Sequence, residues 1–241
     1  RLYIGIGNGS PWNRKIRRPG GGDNLFLCSI IALDADTGEY VWHYQVNPGE
    51  TWDYNAAMDI DLADLKIDGQ TRPVILHAPK NGFFYVIDRE TGKLISARNI
   101  VPVNWAKGIN AATGRPIENP QARYPGGKPA IVYPSPFGAH NIEAMSFNPA
   151  TGLVYIPAMD QGRVYVDPPG PLQGWRHLDG QRLSTGTGAP PPGVVPDRRA
   201  TSFLLAWNPI TQKEAWRVPM QGIRGGGGTA TTAGNLLFQG N

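Results

Sequence analysis

Hydrophobic and polar positions along this chain alternate in short runs bounded by turn-forming residues. "SIIALD" (29–34) and "EYVWHY" (39–44) follow the two-residue period of a half-buried strand. Between them "DADTG" supplies Asp and Thr side chains that bond backbone amides, and a glycine that takes positive φ. The pattern predicts a β-hairpin.

That hairpin recurs. "ALDADTGEYVW" begins at Ala32 and "AWNPITQKEAW" at Ala206, each with Asp or Asn two residues on, Thr five on and Trp ten on. "VIDRETGKLIS" from Val86 keeps Asp88, Thr91 and Gly92 but has Ser96 in the Trp position. "SFNPATGLVYI" from Ser146 shares the Asn-Pro-x-Thr-Gly core in another frame. Starts at 32, 86 and 206 fit a unit of four strands with loops, the second interval spanning about two units. A β-sandwich would not repeat one signature in this way. The expected fold is therefore all-β: part of a β-propeller of four-stranded antiparallel blades, with about four blades present. Ala32 and Trp42 are a small and a large side chain available for packing between sheets. A partial ring exposes blade faces, because each blade buries its faces against its neighbours. The segment 160–200, with "VDPPGPLQGW" and "GTGAPPPGVVP", lacks strand periodicity and is expected to be a surface excursion.

Composition supports many turns joining short strands: 241 residues include 31 glycines and 23 prolines, with 40% hydrophobic and 17% charged residues. No apolar run approaches the ~20 residues of a membrane-spanning helix. The net charge is only +4, and the one dense basic cluster (Arg14, Lys15, Arg17, Arg18) is read as a solvated loop, so no nucleic-acid partner is expected. Cys28 is the single cysteine, which excludes an internal disulfide and a thiolate metal cluster. The four histidines, His43, His77, His140 and His177, lack zinc-ligand spacing, and no G-x-S-x-G elbow occurs. His43 and His77 are expected to be packed or loop histidines. Trp12, Trp52 and Trp105 are candidates for either the lining of a site or the core. Chain ends inside strand-like patterns, "RLYIGIGNG" and "NLLFQGN", suggest a piece of a longer protein.

The chemistry-bearing stretches are "GIGNGSPWN" (5–13), "WDY" (52–54), "HAPKNGFF" (77–84), "VPVNWA" (101–106), "GAHN" (138–141) and "TTAGNLLFQG" (231–240). With "GGDNLFLCSIIALDADTGEYVWHYQ" (21–45) they run in the order and spacing of the quinoprotein alcohol dehydrogenases. The chain resembles that family over essentially its whole length, most of all the quinohaemoprotein branch. The hairpin repeat is similar to the family's tryptophan-docking motif. The resemblance implies an eight-bladed propeller that uses pyrroloquinoline quinone (PQQ) and calcium, with the whole chain inside one propeller domain truncated at both ends.

It also implies roles for individual residues. Asn8 corresponds to an amide ligand of calcium, a hard ion that takes oxygen donors. Asp53 corresponds to the general base, also near calcium, and Lys80 to the cationic donor to the quinone oxygens. Asn141 and Ile142 correspond to a pair that contacts PQQ, although Ile142 stands where the branch has Trp. Gly225 likewise falls at a Trp position of the related pattern. Asn55 is neutral where the lanthanide-dependent relatives carry a second Asp, so calcium is the expected metal. The implied reaction is oxidation of an alcohol to an aldehyde or ketone in the periplasm, with a cytochrome c or blue-copper protein as electron acceptor. The implied acidic calcium ligand and vicinal-cysteine disulfide belong upstream. A haem c has its place on a C-terminal domain downstream. Two other readings remain: a non-catalytic scaffold built on the same propeller, and a quinoprotein acting on a sugar, polyol or polymeric alcohol.

Overall fold

A computed structural model of the chain describes residues 1–177, 185–222 and 226–240. The first blade is three-stranded: β1 (Leu2–Gly5), β2 (Ser29–Leu33) and β3 (Tyr40–Gln45), antiparallel in that order. The second is complete, running β4 (Asp61–Ile67), β5 (Gln70–His77), β6 (Phe83–Asp88) and β7 (Leu94–Asn99). A two-stranded ribbon follows, β8 (Ala106–Ile109) with β9 (Pro116–Glu118). Then come β10 (Ala130–Val132), β11 (Ser146–Asn148), β12 (Leu153–Asp160), β13 (Arg163–Tyr165), β14 (Thr201–Asn208) and β15 (Lys213–Met220). Of these, β11-β12-β14-β15 form the third blade, whereas β10 and β13 pair as a second ribbon. The last two strands, β16 (Thr229–Thr231) and β17 (Leu237–Gln239), open a fourth. One short helix, α1 (Arg14–Arg17), precedes β2. Among the described residues no helix is long and apolar enough to cross a membrane.

Packing between sheets makes this a propeller. Ile30, Ala32 and Trp42 of the first blade share a buried cluster with Ile75, Phe83, Tyr85 and Ile87 of the second. Val74, Leu76, Phe84 and Val86 on the second blade's other strand faces share another with Val154, Ile156, Phe203 and Leu205 of the third. Four blades are thus represented, two of them whole.

The repeated turn has one geometry. Asp34 Oδ1 accepts the backbone N–H of Asp36 and Thr37, and the Gly38 N–H returns to the Asp34 carbonyl. Asp88, Asn110, Asn148 and Asn208 open equivalent turns. Trp42 pairs with Ala32 across β2–β3 as the hairpin predicts, and its ring lies over the next blade's turn. A Cβ on Gly92 would stand 2.6 Å from Trp42 Cε3, so the docking surface has to be glycine. Ser96, at the Trp position of the second blade, instead accepts a 3.0 Å hydrogen bond from Gln212, which occupies the glycine position of the third.

Two expectations need correction. Units starting at 86 and 206 belong to adjacent blades, β6 and β14, so their interval is one blade step and not two. The extra length is taken up by the two ribbons and the excursion after β13. Part of 160–200 is also regular, since β13 pairs with β10 in register Ala130–Tyr165 to Val132–Arg163. The described remainder of that excursion is anchored: the Asn13 side chain donates to Asp167 and to the Gly186 carbonyl, and Tyr133 Oη to Asp197.

Candidate functional site

The loop 47–57 leaves β3 and holds Asp53 in the left-handed region, at φ 70°. Its neighbours are fixed on both sides. Trp52 is fully buried and donates from Nε1 to the Ala122 carbonyl at 2.8 Å; Tyr54 is fully buried and donates to the Pro134 carbonyl at 2.6 Å. Beneath them the buried Glu50 carboxyl accepts the backbone N–H of both Trp52 and Tyr54 through Oε1. With both flanking side chains anchored inside, Asp53 is held between fixed neighbours.

Lys80 enters from the β5–β6 loop. Asn81 organises that loop, capping the Phe83 N–H and donating to Asn47 and Tyr85, while the Trp105 indole donates to the Asn81 carbonyl. Lys80 Nζ lies 3.0 Å from Asp53 Oδ2 and also donates to the Asp53 carbonyl at 3.2 Å. Both side chains are largely shielded, 10% and 16% exposed. Burial raises the Asp53 pKa above its ordinary value, opposed by the Lys80 charge, by Arg163 and by a hydrogen bond from Asn8. Three of the residues singled out in the sequence, Asn8, Asp53 and Lys80, therefore meet in one place.

Asn141 and Ile142 are positioned differently. Their loop leans on Lys80: the Ala139 N–H donates to the Lys80 carbonyl, and a Cβ on Gly138 would stand 2.7 Å from Lys80 Cα and Cγ. Asn141, however, turns back to the Phe137 carbonyl at 2.9 Å, and the Ile142 side chain is exposed. His140 is buried, bonded to the Pro157 carbonyl and to Asp59, which also caps the Met145 N–H and so pins this loop. Gly225 lies outside the described residues.

The tryptophans resolve unequally. Trp52 and Trp105 are core, their ring centroids 5.5 Å apart, and Trp12 lies partly buried beneath Arg163. His77 is packed, as expected, with burial taking its pKa down to about 4. The basic cluster is not simply a solvated loop, because Arg17 points inward to backbone carbonyls and Lys15 pairs with Asp167. Glu50, Arg17, Asp59 and Arg163 were not singled out in the sequence as site residues. Their partners are backbone groups or side chains remote in sequence, and only the acidic residue within the "WDY" loop offered a signal.

The donor set fits one side of a hard-cation and quinone site. Asn8 and Asp53 offer oxygens, the buried Asn55 Oδ1 two residues on has no hydrogen-bond partner, and Lys80 adds a cation for an anionic quinone. Among the described residues no group of three or more His, Cys, Asp or Glu side chains is placed to hold a metal ion.

Residues 1–116 match the PQQ glucose/ethanol/alcohol dehydrogenase β-propeller domain. The chain is 52% identical over 239 residues to quinohemoprotein alcohol dehydrogenase ADH IIB of Pseudomonas putida, covering 99% of this chain and 34% of that protein. It is 46% identical over 241 residues to a 1-butanol dehydrogenase (cytochrome c) of Thauera butanivorans, covering 96% and 33%. The crystal structure of quinohemoprotein alcohol dehydrogenase from Comamonas testosteroni superposes with a TM-score of 0.90 at 48% identity, over 98% of this chain and 35% of that one. The chain thus spans about a third of the length of the curated relatives it matches. By sequence and by fold, it belongs to the β-propeller of the PQQ-dependent alcohol dehydrogenase family.

Proposed function

We propose that the protein carrying this chain is a periplasmic, PQQ- and calcium-dependent alcohol dehydrogenase that delivers electrons to a cytochrome c or blue-copper protein. The observation that carries this reading is the shielded Asp53–Lys80 pair at 3.0 Å with Asn8 on the same carboxylate. A scaffold built on the same blades has no use for a largely buried ion pair on a residue held in the left-handed backbone region.

When bound, PQQ supplies the acceptor for the substrate's hydride and calcium polarises its carbonyl. Asn8 and Asp53 would hold the metal, and Lys80 the quinone oxygens. Asp53 takes the hydroxyl proton of the alcohol. Burial makes its carboxylate more basic, while the Lys80 charge opposes that rise and its hydrogen bond fixes the carboxylate's direction. The neutral Asn55 adds no charge at the position where a trivalent ion would favour an anionic ligand, so calcium is the metal.

The test uses the full-length protein. Asp53→Asn is expected to retain PQQ, measured spectroscopically, while turnover falls by roughly 10²–10⁴-fold. Lys80→Ala is expected to reduce both PQQ retention and turnover. Near-normal turnover by Asp53→Asn would remove Asp53 as the base.

A further inference from the structure

Arg17 connects two loops that each bring one candidate site residue. Its Nη1 donates to the carbonyls of Pro11 and Trp12, and its Nη2 to the carbonyl of Glu50 and, at 3.4 Å, to Asn24. The guanidinium packs against Gly9, next to Asn8, where a Cβ would lie 2.7 Å from Cζ. Any larger residue there would displace it. Glu50 is itself fully buried, and its Oε1 bonds the backbone N–H groups on either side of Asp53. An unbroken set of contacts thus runs from the Asn8 loop through Arg17 and Glu50 to the backbone of Asp53.

We propose that Arg17 and Glu50 are positioning residues that hold Asn8 and Asp53 in fixed relation: Arg17 sets the separation of the two loops, and Glu50 sets the backbone of the base. Both act through other residues and touch neither substrate nor cofactor. The proposal rests on the reading of Asp53 as base and Asn8 as metal ligand. Neither a lysine at 17 nor an alanine at 50 can replace the geometry. Lysine lacks the planar fork that reaches several carbonyls at once, and alanine leaves two buried N–H groups without an acceptor. Glutamine at 50 keeps Oε1 and both bonds.

The experiment compares Glu50→Ala, Glu50→Gln and Arg17→Lys in the full-length protein, with Asp53→Asn alongside. Glu50→Ala is expected to lower kcat about 10–100-fold, with KM changed less than about threefold, since a misplaced base costs rate more than binding. Glu50→Gln is expected to stay within about threefold of wild type. Arg17→Lys is expected to weaken calcium binding to the apoprotein, read by calorimetry with calcium chloride, by about tenfold. Wild-type kcat in Glu50→Ala, equal impairment in Glu50→Gln, or an unchanged calcium affinity in Arg17→Lys would each overturn the proposal. If Glu50→Ala does not fold, the other two variants decide it. Normal turnover by Asp53→Asn removes the underlying base assignment, whereas an inactive Asp53→Asn beside a fully active Glu50→Ala removes this proposal alone.

Discussion

Glu50 carries a physical cost that pH makes visible. Burial pushes its carboxyl up to about 8, against an opposing influence from Arg17 and the two backbone N–H bonds. A carboxyl whose folded pKa is raised binds its proton more tightly in the folded chain. That contribution to stability is complete below the ordinary value of 4.5 and is lost as pH rises toward about 8. Glu50→Gln is neutral throughout. Its Tm relative to wild type is therefore expected to rise between pH 5 and pH 8.5, and a constant difference over that range would show that Glu50 is ionised in the fold. Asn8, Asp53 and Lys80 were legible in the sequence only through the family motifs they lie in, "GNG", "WDY" and "PKNG"; taken alone, each reads as an ordinary loop residue. Glu50 and Arg17 were not. What they do is defined by backbone groups up to 33 positions away, and composition alone reads them as a loop acid and a surface base.

At the scale of the element, the hairpin turn and its docking partner were readable because they depend on local chemistry. An Asp or Asn that caps its own turn and a Trp ten residues after the first strand's Ala are both sequence-local. The Asn110 turn escaped because Gly108 and Glu118 stand at the motif's Ala and Trp positions, although Gly114 still meets an aromatic ring, that of Tyr44. The blade count between 86 and 206 misled for a different reason. Spacing along the chain does not say which strands share a sheet, and the ribbons β8–β9 and β10–β13 consume length without adding a blade. Trp42, 6% exposed and lying on Gly92, makes this docking contact between the first two blades. Trp42→Ala is expected to cost about 3–5 kcal/mol in a urea unfolding experiment on the full-length protein. Loss below 1 kcal/mol would mean that neighbouring side chains such as Tyr3, 5.7 Å away, take over the packing.

At the scale of the whole molecule, the chain holds a finished interior and unfinished faces. The interfaces of the first blade with the second and of the second with the third are buried and apolar, whereas Leu2 and Ile4 on β1, Trp216 and Val218 on β15, and Leu236 and Phe238 at β17 are exposed. Apolar strand faces of this kind are interaction surfaces. The candidate site is unfinished in the same sense. A calcium ion takes six to eight oxygen ligands, and among the described residues the candidate donors at Asp53 are few: Asn8 and Asp53 itself, with the unpaired oxygen of Asn55 two residues along the chain. Both shortfalls lead to one expectation for the 241-residue chain produced alone. It should self-associate in sedimentation experiments in the micromolar range, and it should show no dye-linked alcohol oxidation with PQQ and calcium added, under conditions where the full-length protein turns over. A monomeric chain that oxidises alcohols would mean that the Asn8–Asp53–Lys80 group needs no ligands from elsewhere, and the assignment of the metal's donors would have to be rebuilt around this segment alone.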